Sequence, residues 1–96
     1  MKKKEITLDE VIEVIKSNNL IAKYDLNKIG LFGSLVHGFN AKDIDILIEG
    51  EYDYRNLLGF KYELEKLIKK KVDVVIEKFA NPIILYRAKK ELVYVS

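Results

Sequence analysis

The stretch GLFGSLVHGFNAKDIDILIEG, residues 30–50, sets two aspartates into a strand otherwise suited to burial. Asp43 and Asp45 alternate with Ile44, Ile46 and Ile48. In an extended strand, residues two apart face the same side. Asp43 and Asp45 therefore share one face with Leu47, and the isoleucines fill the other. Two carboxylates on neighbouring same-face positions repel, so a cation is expected between them. Mg²⁺ suits the place. It is a hard ion that takes oxygen ligands, and it is often held by one or two carboxylates plus substrate phosphates.

A third carboxylate stands in KVDVVIE, residues 71–77, where Asp73 interrupts Val72, Val74 and Val75. If the two strands are neighbours, Asp73 reaches the Asp43/Asp45 pair. Two Mg²⁺ ions about 3.5–4 Å apart could then clamp the attacking and leaving oxygens of a displacement at phosphorus. Taken singly, each aspartate has a plainer reading as a turn cap, an exposed sheet position or a half-exposed edge residue. The turn upstream tips the balance. Gly33-Ser34 ends a strand and opens a helical turn, where glycine lets a phosphate approach the backbone. Amides at a helix start, with the serine hydroxyl, attract anions. Gly38 permits a second tight turn four residues later.

The flanking sequence supplies the other elements. Thr7 and Glu10 have capping-box spacing, and Leu8, Val11, Ile12 and Ile15 then recur at helical period. This predicts a helix over residues 8–18, followed by a turn or helix extension over 20–27. Strands are expected at 28–33, 43–49 and 71–77. Leu57, Phe60, Leu64, Leu67 and Ile68 define one face of a helix over 53–70, with Glu65 and Lys69 paired outside it. Asn81-Pro82 marks the start of a helix over 81–89. The final LVYVS reads as a short strand. The fold class is α/β (α+β): a small mixed sheet of three to four strands with helices packed against it. Ile83, Ile84 and Tyr86 are expected in its core rather than at an interface.

The 96 residues suit one domain, residues 1–96, with 49% apolar and 33% charged residues. Without cysteine, disulfides and thiolate metal sites are excluded, which fits a reducing cytoplasm. Neither a secretory leader nor a membrane span is seen, so no membrane role is expected. A net charge of +2 gives no electrostatic case for nucleic acid as a direct ligand. The lysine clusters at 69–71 and 89–90 read as solvated helix ends, where cations also complement the helix dipole.

The joint pattern is Gly33-Ser34, Gly38, Asp43-Ile44-Asp45 before an apolar strand, and Asp73 in a later one. It resembles the minimal nucleotidyltransferases, the MNT domains of the DNA polymerase beta-like superfamily. Length and element order extend the resemblance over nearly the whole chain. The 39–42 loop is shorter than is usual in that family, and His37 stands where an arginine is common.

The resemblance implies a nucleotidyltransferase fold and transfer of a nucleoside monophosphate, with ATP the expected donor, to a hydroxyl. It assigns Gly33 and Ser34 to nucleotide phosphates, Asp43 and Asp45 to two Mg²⁺ ions, and Asp73 to the ion that activates the attacking hydroxyl. Stand-alone members often accompany a HEPN-domain toxin and act as its antitoxin by adding AMP to a tyrosine. A protein partner of this kind would supply the acceptor that the chain is too short to hold in a domain of its own. Two alternatives stay open: a weakly active or inactive module that neutralises a partner by contact, and a transferase for small molecules. The sequence also leaves a homo-oligomer open.

Overall fold

The computed structural model describes residues 6–38 and 43–95. Its first helix, α1 (Leu8–Ser17), starts where Thr7 Oγ1 accepts the Glu10 N–H at 3.2 Å. Val11 and Ile15, four residues apart, are its buried residues. The next segment turns through Asn19 in the left-handed region into a single turn, α2 (Leu20–Lys23). Strand β1 (Lys28–Phe32) follows, and then β2 (Asp43–Glu49), whose bounds match the alternating DIDILIE pattern. Gly33 leaves β1 for a 3₁₀ turn, Gly33–Leu35, because its φ of +82° cannot continue a strand. Helix α3 (Tyr54–Ile68) and strand β3 (Lys71–Ile76) come next, then α4 (Pro82–Glu91) and β4 (Val93–Tyr94).

The four strands form one mixed sheet in the order β3-β2-β1-β4. β1 runs antiparallel to β2 and β4, while β2 and β3 are parallel and joined through α3. Ile29, Leu31, Ile44, Ile46, Ile48 and Val72 present the core face of the sheet. Against them pack Val11 and Ile15 of α1, Leu20 of α2, and Leu57, Phe60 and Leu64 of α3. The aspartates therefore look away from this core.

Leu47 departs from the simple alternation. It lies on the carboxylate face yet is fully buried, and it stands outside the main cluster. Its register partner is Gly30. A Cβ on Gly30 would come within 2.6 Å of the Leu92 side chain, which lies over the sheet just after α4. The C-terminal part of the chain thus closes one half of this face and leaves the other half, with the carboxylates, open.

Two expectations need correction. Ile83, Ile84 and Tyr86 are not in the core: they are 66%, 49% and 62% exposed. Only Ala88 of α4 is buried, so the helix touches the sheet by its last turns and turns its apolar N-terminal half outward. The Glu65–Lys69 pair also gives way. Lys69 ends α3 in the left-handed region, while Glu65 lies 3.7 Å from Lys61 Nζ and accepts the Val72 N–H at 2.8 Å. That hydrogen bond ties the end of α3 to the residue before Asp73.

Asp53 caps α3, its Oδ1 accepting the Arg55 and Asn56 amides at 2.8 and 3.2 Å. Asp53→Ala leaves these donors without that partner and is expected to cost about 1 kcal/mol, the usual effect of losing an N-cap. Urea unfolding checks this: a lower midpoint with an unchanged slope is expected.

Candidate active site

The parallel register of β2 and β3 sets Asp45 directly opposite Asp73 and Asp43 opposite Lys71. Register partners point to the same side of a sheet, so all three aspartates share one face. Each is partly exposed, in contrast to the fully buried Ile44, Ile46 and Val72 between them. Lys71 Nζ lies 3.9 Å from Asp73 Oδ1, a loose and solvent-exposed pairing. The Asp45 carboxyl is pushed above the ordinary carboxylate range. Desolvation by burial is the main cause, and repulsion from Asp73, Asp43 and Glu91 adds to it.

On the other side of β2, Phe32 pairs with Asp45 and leads directly into the Gly33 turn. A Cβ on Gly33 would overlap the Asp45 Oδ2 and lie 3.2 Å from its Cγ. Gly33 is thus required twice, by its left-handed φ and by the carboxylate seated against it. Ser34 sits half-buried in the turn, and the residue preceding the turn, Phe32, makes no side-chain cap. Gly38, also at positive φ, has none of the described residues within 4 Å of where a Cβ would stand. The 39–42 loop lies outside the described residues.

Sequence reasoning missed one member of the site. Glu91, in the last turn of α4, accepts the Gly33 N–H through Oε1 at 2.9 Å. Its Oε2 pairs with His37 Nε2. No local spacing links position 91 to position 33; β4 brings them together by pairing with β1. One signal was available. Glu91 follows Lys89 and Lys90 at a helix C-terminus, where the macrodipole disfavours a carboxylate.

The donor set is all oxygen and strongly anionic, the chemistry a Mg²⁺ site requires. Asp43, Asp45 and Asp73 are the residues able to hold such an ion. Among the described residues, no group of three acidic, histidine or cysteine side chains is closed around a single point. The aspartates share a face without converging. Beside Asp73 a groove of about 310 Å³ opens between α3 and β3, walled by Tyr54, Leu57, Leu58, Lys61, Val74 and Ile76. No helix among the described residues is long and apolar enough to cross a membrane.

The family described as polymerase beta, nucleotidyltransferase, matches residues 9–95. The chain belongs to this family. The nucleotidyltransferase is 33% identical to a putative protein adenylyltransferase of Methanocaldococcus jannaschii, over 93% of this chain and 98% of that protein. Its fold is that of a solved structure described as a putative minimal nucleotidyltransferase. That match has a TM-score of 0.70 and 19% identity, over 95% of this chain and 98% of the other. The fold also matches a chain from the complex of tri-AMPylated Shewanella oneidensis HEPN toxin with MNT antitoxin. There the TM-score is 0.62 and the identity 20%, covering 93% of this chain and 72% of that one.

Proposed function

We propose that this nucleotidyltransferase moves AMP from ATP to a tyrosine hydroxyl of a partner protein, a HEPN-domain toxin, and so acts as its antitoxin. The observation that carries the reading is the placement of Asp45 beside Asp73 on one open sheet face, with Asp45 seated against the glycine turn. Gly33 and Ser34 hold the β- and γ-phosphates; Asp43 and Asp45 would hold two Mg²⁺ ions, and Asp73 would complete the site of the ion that activates the acceptor. Asp73 faces the acceptor. Bound Mg²⁺ would neutralise charge on the phosphates and lower the pKa of the acceptor hydroxyl.

The chain's own residues position the reactants. The acceptor oxygen attacks the α-phosphorus, the bond to the bridging oxygen breaks, and pyrophosphate leaves. The acceptor proton passes to the Asp73 carboxylate. The named relatives support protein as the acceptor class: one is described as a protein adenylyltransferase, another is part of a complex with an AMPylated HEPN toxin.

The test is to incubate the chain with ATP, Mg²⁺ and the HEPN-domain protein, then map modification by peptide mass spectrometry. AMP on a partner tyrosine is expected with the wild type and none with Asp43→Asn/Asp45→Asn. A second reading has its own support. Ile83, Ile84 and Tyr86 give α4 an exposed apolar face suited to a protein contact, and contact alone could neutralise a partner. If the double variant still neutralises the toxin in cells, that second reading replaces the first.

A further inference from the structure

Glu91 stands where a nucleotide phosphate is expected. The Gly33 N–H that the proposed function assigns to phosphate donates instead to Glu91 Oε1, at 2.9 Å. The other carboxylate oxygen takes His37, so one anion bridges the glycine turn and the imidazole. Glu91 does so although Asp45 is close enough to feel its charge. A carboxylate placed against like charges is held there by its hydrogen bonds, and bonds to an ionised acceptor are about twice as strong as neutral ones. The Gly33 N–H thus already donates to an anion, and the chain supplies that anion itself.

We propose that Glu91 is a displaceable phosphate mimic, which holds Gly33 and His37 until a nucleoside triphosphate takes its place. This deepens the proposed function and rests on its assignment of Gly33 to nucleotide phosphate. One amide hydrogen cannot serve both acceptors, so the triphosphate must break the Glu91 contact before it can seat. Glu91 has a role in the absence of nucleotide as well: it covers the amide and keeps α4 and β4 docked beside the turn. Nucleotide binding therefore shifts the last turn of α4, the turn next to Leu92 and the short strand that pairs with β1.

The test titrates a non-hydrolysable ATP analogue with Mg²⁺ into wild type, Glu91→Gln and Glu91→Ala, by calorimetry, with the Gly33 amide followed by NMR. Glu91→Gln keeps the size and an acceptor but loses the charge, so it guards against misfolding. Its affinity for the analogue is expected to rise about tenfold, a change of about 1.4 kcal/mol. The Gly33 amide resonance should move in both variants before any analogue is added. Equal or weaker affinity in both variants, with the Gly33 amide responding to the analogue in all three proteins, overturns the mimic and leaves the nucleotide site standing. No binding to any of the three overturns both.

Discussion

Asp45→Asn is expected to lower nucleotidyl transfer by about a hundredfold to a thousandfold and to raise the melting temperature of the protein free of nucleotide. The first effect follows from losing a charged ligand where transition-state charge develops, a change that costs two to three orders of magnitude in other electrostatic sites. The second follows from the site's own repulsion. Asp45 is partly desolvated and faces Asp73, Asp43 and Glu91, so folding raises its pKa. The folded state then binds this proton more readily than the unfolded chain. Between the unfolded and folded pKa values the folded state carries more protons, so Asp45 destabilises the fold as pH rises through that window. Below the unfolded pKa the penalty is gone. Asparagine removes the charge at every pH, so the gain in melting temperature should be present at neutral pH and shrink as pH falls below the carboxylate range. Thermal unfolding at several pH values checks this. A variant that loses both activity and stability would make Asp45 a structural residue and sink the assignment.

Gly33→Ala is expected to damage stability and nucleotide binding together. A side chain at φ +82° costs about 1–2 kcal/mol in the left-handed region. For a domain of this size each 1 kcal/mol lowers the midpoint by roughly 4–8 °C. The new Cβ also displaces the Asp45 carboxylate, because it would overlap Oδ2. Gly38→Ala separates the two causes. Gly38 has a similar φ of +78° but, among the described residues, nothing within 4 Å of its Cβ position. It should show the strain alone, with binding of an ATP analogue close to that of the wild type, while Gly33→Ala weakens binding at least about tenfold, the effect of about 1.4 kcal/mol. If the two variants bind the analogue equally well, the contact between Gly33 and Asp45 has no part in the site.

Much of this arrangement is legible in the chain because it depends on local periodicity. The DIDILIE alternation places the isoleucines inward and the aspartates outward, and β2 has the bounds that the alternation implies. The Thr7 cap and the Asn81-Pro82 start likewise depend only on residues within one turn. What was not legible is nonlocal. The pairing of Asp45 with Asp73 needed β2 and β3 to be parallel neighbours in one register, which no single segment encodes. The burial of Leu47 depends on Leu92 crossing Gly30, some sixty residues away in sequence. Ile83, Ile84 and Tyr86 have helical spacing, but spacing does not say whether anything lies opposite, and here only Ala88 of that helix is buried. Glu91 enters the site for the same reason, through the β1–β4 pairing.

We propose that Asp43, Asp45 and Asp73 hold a divalent metal together with a nucleotide beside Gly33. Paramagnetic NMR checks this arrangement, with Mn²⁺ standing in for Mg²⁺ and a non-hydrolysable ATP analogue present. The amide signals of Asp43, Asp45, Asp73 and Gly33 should broaden first, and Asp43→Asn/Asp45→Asn should abolish that broadening. Broadening centred elsewhere, or undiminished in the double variant, would contradict the claim.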